Sequence, residues 1–532
     1  MLIKMFTRKA YIVIEKLISL LVVFIESQRE FNVNQKKLSK LMFNLNTQIT
    51  SDLRDPRKIR IFSKDVVISD FDLAWHADPF SLCEFPRSYI YFRRPKTQAN
   101  DDIKSIWELS RLNFILPVIL EIQKTGKADD IEFVKEVIFS FIRNNRFPLG
   151  IHWINPMEVS IRSVNICLAL SVIYRFLSGS ERAEVEKYII QSALFVFRFR
   201  ENKGTTNNHY MSNLLFITVA AEIFDICDLK DFAQYELERE LNKQVYRDGT
   251  VFEASTYYHR LTLEIVFFTI LFKVKMNVAS ECGVNYCDVT RFYSRATLIS
   301  LYKMFLFIRY SIKDNGELPI VGDNDSGQIL KVYNEEVLDV RYLLSLGSFF
   351  FKKDLFIFGE LFAHPLTGLI SGSPAKITGN KYNVRRFNRR FRDSGWLVVR
   401  DNDIFLFITA GKNGQAGKGG HGHNDKTSYL LTRGDEDIVL AGGTYCYTCS
   451  DEIRRANRSN ANHNVVSILV YKKVLEQSDL SKGNFVLDEN CHSQIDSVLK
   501  NDRAIFVECS HACYESHTGK RHDRTFFLDK KS

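Results

Sequence analysis

Two histidines one residue apart, followed by an acid, stand in the stretch GHGHNDKTSYLL at residues 420–431. An imidazole takes up and releases a proton near neutral pH, and it is also a common metal ligand. His421 and His423 therefore fit a metal site, an acid–base pair or a polar turn in front of a strand. The stretch by itself leaves these three alternatives open.

Three clusters upstream also combine residue types that bind anions or transfer protons. They are Asn207, Asn208 and His209 in TTNNHYMSN, Glu253, Tyr257, Tyr258 and His259 in DGTVFEASTYYHRLTLE, and Asp323 and Asp325 in LPIVGDNDSG. Each cluster has an ordinary structural explanation. Helix capping needs one asparagine, aromatic residues before a helix usually belong to the core, and aspartates in a glycine-bounded loop most often form a turn. These explanations do not account for every polar residue of the three clusters, so a shared function has to be considered.

The elements that position these residues change type once along the chain. From about residue 100 to 360, apolar residues recur at helical spacing, as in LTLEIVFFTILFKV. After about residue 395, short β-rich segments alternate with Asp, Asn and Gly turns. We predict an N-terminal helical extension (1–60), a helical domain (61–375), a basic linker (376–394) and an antiparallel β-sheet or β-sandwich domain (395–532).

The linker prediction depends on a segment rich in glycine and basic residues. Its basic side chains are Lys381, Arg385, Arg386, Arg389, Arg390 and Arg392. They fit either a polyanion-binding surface or a solvated linker face, and both alternatives stay open.

Composition narrows the class of protein. The chain has 532 residues, of which 45% are hydrophobic and 25% charged, as in a folded protein with more than one domain. Its formal charge of +9 favours contact with an anion such as nucleic acid, an acidic lipid surface or an acidic polysaccharide. Because the chain contains no recognised nucleic-acid-binding motif, we do not expect a nucleic-acid partner.

The N-terminal 30 residues contain early basic side chains and an apolar run at 17–25. Glu15 and Lys16 interrupt the apolar character, no cleavage site follows, and the run is far shorter than the ~20 residues that span a bilayer. We therefore expect an amphipathic helix and no stable membrane span.

Ten cysteines are few for a chain of this length. Cys446 and Cys449 form a CxxC, but no second CxxC follows to complete a zinc site. We predict structural cysteines and no disulfide framework, which disfavours a strongly oxidising compartment.

Eight stretches, in order from about residue 70 to the end, resemble the heparinase II/III group of polysaccharide lyases. They are IWELSRLNF, HWINPMEVSIRSVN, NNHYMSNLL, DGTVFEASTYYHRL, LPIVGDNDSG, GHGHNDKTSYLL, GGTYCYT and RRANRSNANHNVV. The resemblance implies an α+β multidomain fold, with an incomplete α/α toroid followed by a C-terminal antiparallel β-sandwich. It also implies β-elimination on an acidic polysaccharide, in which the C5 proton of a uronic acid is removed and the oxygen at C4 is expelled.

The resemblance assigns catalytic roles to residues of the clusters above. Asn208 and His209 match the residues that neutralise the uronate carboxylate, where charge develops in the transition state. Tyr258 matches the catalytic tyrosine that acts as acid and also as candidate base, with Tyr257 as the alternative match, and His421 matches the facing acid–base histidine.

Further substrate contacts and a metal are implied in the same way. Substrate binding is expected from Asn207, Glu253, Arg454 and Arg458, with surface salt bridges as the alternative for the two arginines. No cofactor is required, but His423 and His463 resemble ligands of a structural zinc. The usual carboxylate ligand is missing because Ala441 occupies its position, and Asp425 or Asp437 is the candidate substitute.

Other readings stay open. Glu158 and Arg162 are spaced to pair along one helix.

The chain could be a noncatalytic polysaccharide-binding or biosynthesis-associated protein, which the altered LAGGTY favours. Hydrolysis by Glu253 and Asp323 would need two acids about 5 to 10 Å apart. Relatives are commonly exported, whereas the N-terminus favours the cytoplasm, and the sandwich is expected to be curtailed at its C-terminal end.

Overall fold

The structure is a computed structural model. It describes residues 15–29, 31–41, 57–62, 64–87, 102–278, 284, 286–332, 336–356, 364–368, 386–487 and 492–529. Helices dominate the N-terminal two thirds of the described chain, and antiparallel strands dominate the remainder.

Most of the helices precede residue 352. Their bounds are α1 (15–26), α2 (Gln35–Leu38), α3 (Phe71–Ala74), α4 (Ile103–Ser110), α5 (Leu116–Thr125), α6 (Ala128–Asn144), α7 (Pro156–Ile173), α8 (Gly179–Phe199), α9 (Asn208–Ile223), α10 (Cys227–Gln244), α11 (Thr256–Asn277), α12 (Tyr286–Val289), α13 (Arg295–Ser311) and α14 (Arg341–Phe351). Two more, α15 (Asp451–Arg458) and α16 (Glu515–Thr518), lie among the strands.

Helices α9 and α11 form the centre of the helical part. They pack against each other, α9 also contacts α7 and α10, and α11 contacts α13. Every α11 residue from Thr256 to Met276 is buried, which explains why the sequence there is apolar on all sides rather than amphipathic. Asn207 caps α9 and Ser255 caps α11 through side-chain oxygens, so both helices begin at the polar clusters.

The strands form two larger sheets and two hairpins, all antiparallel. The five-stranded sheet runs in the order β3 (Arg386–Phe391), β4 (Trp396–Asp401), β5 (Ile404–Thr409), β6 (Ser428–Arg433) and β7 (Glu436–Val439). The three-stranded sheet contains β10 (Ser493–Lys500), β11 (Ala504–His511) and β12 (His522–Asp529). The hairpins are β1 (Lys58–Ile61) with β2 (Lys64–Val67), and β8 (Ile468–Val470) with β9 (Lys473–Leu475).

The five-stranded sheet is covered on both faces. Leu397 and Val399 of β4 pack in one core with Ile505 and Val507 of β11, so the two sheets form a sandwich. Val398, which points to the opposite face, belongs to the large core shared with the helices. The predicted fold class, a helical domain followed by an antiparallel β-sandwich, is confirmed.

Several local features differ from the sequence predictions. The end of the segment predicted as linker forms the edge strand β3, and residues 376–385 lie outside the described residues, as do Lys381 and Arg385. Strand β1 begins at Lys58, inside the range predicted as helical extension. Part of the basic run is paired, since Arg386 Nε lies 2.9 Å from Asp401 Oδ1.

The prediction of structural cysteines without a disulfide framework was wrong for three of the described cysteines. Cys446 and Cys449 are disulfide-bonded to each other, and Cys513 is also in a disulfide. Cys167 and Cys509 are free and buried. The two cysteines of one CxxC can form a disulfide with each other. The absence of a second CxxC therefore argues against a zinc site but not against a disulfide.

Within the described residues, one helical segment, Pro156–Phe176, is long and apolar enough to cross a membrane. Its most apolar window is 89% buried inside the structure, as in the core helix of a globular domain.

Candidate active site

The polar clusters meet where the helical part contacts the sandwich. Asn208 and Tyr258 lie in the first turns of α9 and α11, and His421 lies in the loop between β5 and β6. Gly322 permits this approach, because a Cβ there would lie 2.6 Å from the Ala254 carbonyl oxygen and 2.7 Å from that of His421. The Asp323 amide then donates to the His421 carbonyl at 2.9 Å, which ties the two loops together.

Tyr258 and His421 are in direct contact. Their ring centroids are 3.6 Å apart, and their planes are inclined by 17°. The Tyr258 hydroxyl lies 3.1 Å from the Tyr447 hydroxyl, and the Tyr447 ring stacks on Phe485. Phe485 is 37% exposed, whereas Tyr258 is 4% exposed, so the aromatic row extends from the surface to the buried phenol.

Burial sets the proton affinity of this phenol. Desolvation, the neighbouring Tyr447 and the carboxylates of Asp325 and Asp323 all raise the pKa of Tyr258 well above its usual value. The phenol therefore keeps its proton at neutral pH and is suited to donate it.

Asp323 connects most of the site. Its carboxylate accepts hydrogen bonds from His421 Nδ1 and His423 Nε2, both at 2.9 Å, and from Thr444 Oγ1 at 3.1 Å. Arg454 pairs with both carboxylate oxygens. Although burial favours the neutral acid, Arg454 and the two histidines hold the pKa of Asp323 well below its usual value.

Glu253 organises the other side of His421. It accepts from the Asn208 backbone N–H at 2.9 Å and from the Asn208 side-chain nitrogen through both oxygens, at 3.0 and 2.9 Å. Gln415 Nε2 donates to it at 3.1 Å, and His421 Nε2 lies 3.5 Å away. The Asn208 amide donors are thus occupied, while its buried Oδ1 accepts no hydrogen bond from the residues that the structure describes.

His209 is the cation of the cluster. Its Nδ1 lies 2.8 Å from Glu201 Oε1, and its side chain is 32% exposed. Burial opposes the charged form, but Glu201, supported by Glu253 and Glu158, raises the pKa of His209 to about 9. At neutral pH the ring is an imidazolium whose Nε2–H has no hydrogen-bond partner among the described residues.

The predicted substrate-binding residues lie close by, but not all of them face solvent. Asn207 uses its side chain to cap α9, accepting from the His209 N–H at 3.1 Å. Arg454 is 0% exposed and bound to Asp323, and Arg458 is 1% exposed. Arg458 donates to the carbonyl oxygens of Gly419 and Gly422 at 2.7 and 3.0 Å. In this structure Arg454 positions Asp323 and Arg458 positions the histidine loop, and substrate contact by either arginine stays a prediction.

The two histidines predicted as zinc ligands contact each other. His423 Nδ1 lies 3.1 Å from His463 Nε2, while His463 Nδ1 donates to the Ser459 carbonyl oxygen at 2.7 Å. In the described part of the chain, no group of three or more His, Cys, Asp or Glu side chains could hold a metal. Two imidazoles do not supply the four ligands of a structural zinc. The donor set therefore does not fit the metal.

The candidate replacements for the missing ligand do not change that result. Asp437 is paired with Lys313 at 2.9 Å and accepts from Thr432. Burial raises the pKa of Asp425 to about 7, which leaves its carboxyl substantially protonated at neutral pH. Ala441 is itself buried.

Sequence reasoning missed several residues of the site. Tyr447 lies between the two cysteines of the CxxC and was not considered, although its hydroxyl contacts that of Tyr258. Gln415, which donates to Glu253, belongs to none of the motifs. Lys104 places its ammonium 4.3 Å from the Tyr447 ring centroid and 3.2 Å from Asp325. The stretch GGTYCYT was the only signal that pointed to Tyr447.

The helical pairing of Glu158 with Arg162 was wrong. Glu158 instead accepts two hydrogen bonds from Arg111, both at 2.8 Å. Arg162 donates to the Tyr188 hydroxyl and to the His152 carbonyl oxygen. Both side chains are buried, so partners from other helices satisfy them better than an exposed pair would.

Comparison with known proteins agrees with this architecture. Residues 384–532 match the family model of the Heparinase II/III-like, C-terminal domain. No curated protein matches the chain. The predicted resemblance to the heparinase II/III group is confirmed.

Among solved structures, the chain is similar to heparinase III, with a TM-score of 0.59, 14% identity and coverage of 93% of this chain and 73% of that one. A second heparinase III gives a TM-score of 0.52, 15% identity and coverage of 91% and 71%. The heparan sulfate lyase HepC from Pedobacter heparinus gives a TM-score of 0.52 and 15% identity, and the match covers 93% of this chain and 71% of that one. At these identities the similarity shows a shared fold, which is that of polysaccharide lyases.

Proposed function

We propose that this chain, with its heparinase II/III-like C-terminal domain and lyase fold, cleaves a uronate-containing acidic polysaccharide by β-elimination. The observation that carries the proposal is the convergence of Tyr258, His421 and His209 around Glu253 and Asp323. Elimination needs a group that neutralises a carboxylate, a base and an acid. This cluster contains a candidate for each.

His209 is the candidate for neutralising the substrate carboxylate. Removal of the C5 proton places negative charge beside a carboxylate, so a fixed cation or donor there stabilises the transition state. His209 is cationic at neutral pH and about one-third exposed, and its Nε2–H is free of partners among the described residues. Asn208 is buried and its amide nitrogen donates to Glu253, so in the proposal it orients this end of α9 while His209 meets the carboxylate.

Tyr258 is the candidate acid. Its raised pKa keeps the phenol protonated, and the Tyr447 hydroxyl, 3.1 Å away, holds the Tyr258 hydroxyl in position. The same raised pKa disfavours Tyr258 as the base, because a base must be a phenolate before the reaction begins, whereas as the acid Tyr258 gives its proton to a more basic sugar alkoxide.

His421 is the candidate base. Its Nδ1–H donates to Asp323, which leaves Nε2, on the Glu253 side of the ring, as the nitrogen that accepts the proton in the proposed reaction. The Asp323 carboxylate also stabilises the imidazolium that forms when Nε2 accepts the C5 proton. Arg454 keeps Asp323 ionised, so the carboxylate itself does not compete for that proton.

Hydrolysis by Glu253 and Asp323 fits the site less well. Both carboxylates are 0% exposed, and the His421 ring lies between them. A glycosidase acid requires a raised pKa, whereas the pKa of Asp323 is strongly lowered. Each carboxylate already accepts several hydrogen bonds from the protein.

The proposal is tested by incubating the protein separately with a panel of acidic polysaccharides: heparan sulfate, chondroitin sulfate, hyaluronan and alginate. Ultraviolet absorbance of an unsaturated uronate product, with one new reducing end per double bond, supports elimination. Reducing ends without the absorbance indicate hydrolysis, and saturable binding without either product indicates a noncatalytic binding protein. Each of these two outcomes overturns the proposal.

A further inference from the structure

Helix α1 is fixed to the outside of the helical part by one face. Leu20 and Val23 are buried, at 5% and 1% exposure. Arg198 of α8 donates from Nε to Ser19 Oγ at 3.1 Å, and Gln191 donates to Ser27 Oγ at 3.3 Å. These contacts define which side of α1 faces the protein.

The opposite face of α1 is an exposed apolar stripe. Its members are Leu17 (47% exposed), Ile18 (55%), Leu21 (57%), Phe24 (48%) and Ile25 (56%). Their spacing of i, i+1, i+4, i+7 and i+8 places all five on one side of the helix. Scattered exposed leucines are ordinary on protein surfaces, but a contiguous row of five large apolar side chains marks an interaction surface.

The charge of the neighbouring sequence favours one kind of partner. Residues 1–14 contain Lys4, Arg8 and Lys9 and no acidic residue. An apolar helix face preceded by basic residues is the pattern of helices that lie in the interface of anionic bilayers.

The size of the stripe also argues against a protein partner. Five side chains, each about half exposed, offer on the order of 500 Å², which is less than the ~800 Å² that each partner buries in a standard protein interface. The stripe is convex as well, and it therefore suits insertion into a deformable lipid surface.

We propose that α1 docks the protein on an anionic membrane surface, with Leu17, Ile18, Leu21, Phe24 and Ile25 inserted among the acyl chains near the headgroups. The helix lies parallel to the membrane and does not cross it, because α8 covers its other face. The proposal does not depend on the proposed enzymatic activity.

The test is flotation of the full chain with vesicles of phosphatidylcholine alone, or of phosphatidylcholine mixed with phosphatidylglycerol. We expect binding to the anionic vesicles and weaker binding at high salt. The double variant Leu21→Asp with Phe24→Asp should bind at least about tenfold more weakly, because membrane affinity scales with the apolar area inserted. The conservative pair Leu21→Met with Phe24→Leu should bind like the wild type.

The matched control is Leu499→Asp with Phe527→Asp. These residues are 62% and 59% exposed on the three-stranded sheet, so the control makes the same charge change at equally exposed apolar positions. It should leave vesicle binding unchanged, and circular dichroism checks that both variants are folded. The proposal is overturned if the wild type does not float, if it binds both vesicle types equally, or if the control loses as much binding. It is also overturned if Leu21→Asp with Phe24→Asp instead dissociates a wild-type dimer.

Discussion

The imidazole of His421 lies flat on the phenol of Tyr258, with centroids 3.6 Å apart and planes inclined by 17°. In this arrangement the hydroxyl of Tyr258 meets Tyr447, while the ring nitrogens of His421 face Asp323 and Glu253. The two groups therefore do not hydrogen-bond to each other. In the proposed reaction they act on different substrate atoms, His421 on the C5 proton and Tyr258 on the oxygen at C4.

Replacing Asp323 with asparagine should remove both activity and stability. The variant leaves the Arg454 guanidinium buried without a carboxylate partner, which costs about 3–5 kcal/mol of unfolding free energy. It also removes the negative charge and one of the two acceptor oxygens that face the histidines, so the rate of elimination should fall even at temperatures where the variant is folded. Urea unfolding and initial rates measure the two effects.

The matched control for Asp323 is Asp403→Asn. Asp403 pairs with Arg433 at 3.1 Å, but both side chains are more than half exposed. This exposed pair should contribute about 0–1 kcal/mol. Equal stability losses in the two variants would contradict the central role given to Asp323.

Substrate affinity should depend on the charge of His209. Its folded pKa of about 9 lies above the ordinary value of 6.5, so the imidazolium is fully present below pH 6.5 and is lost as pH rises through about 9. The associated contribution to stability disappears over the same window. We expect KM for an acidic polysaccharide to rise in alkaline solution, with a midpoint near pH 9.

Glu201→Gln removes the main source of that pKa shift and should move the KM transition to lower pH. His517→Gln is the control, because His517 is an exposed histidine in α16 whose loss should leave the profile unchanged. A KM that is independent of pH between 7 and 10 in the wild type would remove His209 from carboxylate binding.

The disulfide between Cys446 and Cys449 should support catalysis. It closes a loop in which the Tyr447 backbone N–H and the Thr448 hydroxyl both donate to Asp102, at 2.7 and 3.0 Å. Loss of this constraint should displace the Tyr447 hydroxyl from Tyr258, and a displacement of about 1 Å in an active site can cost up to ~10²-fold in rate.

The measurement compares the wild type with Cys446→Ser/Cys449→Ser, each with and without a reductant. The variant should be slower than the oxidised wild type and insensitive to the reductant. That insensitivity separates this disulfide from the one containing Cys513. Full activity in the serine variant would show that the disulfide has no role in the site.

Local sequence patterns predicted much of the fold. Long apolar segments identified α9 and α11, and alternation with turn residues identified β4 to β6. Capping was expected of one asparagine, which in the structure is Asn207. These features depend on neighbours within a few positions, so the sequence contains the information directly.

The parts that were not predicted depend on residues distant in sequence. Asp323 looked like part of a turn, yet its main partner, Arg454, lies 131 positions later. Arg454 and Arg458 were expected near the cleft from the family resemblance, or in surface salt bridges, but carboxylate and carbonyl partners allow both to be buried. Glu158 likewise pairs with Arg111 across helices rather than with Arg162 in its own helix.

The most direct measurement compares Tyr258→Phe with its neighbour control Tyr257→Phe in the ultraviolet elimination assay, on a uronate polysaccharide that the wild type cleaves. The Tyr257 hydroxyl donates to the Leu338 carbonyl oxygen at 3.0 Å, so its loss should lower stability by about 1 kcal/mol and leave the rate nearly unchanged. Loss of the Tyr258 hydroxyl should lower the rate by about 10²- to 10⁴-fold in a folded protein. Formation of unsaturated product at the wild-type rate by Tyr258→Phe would contradict the account.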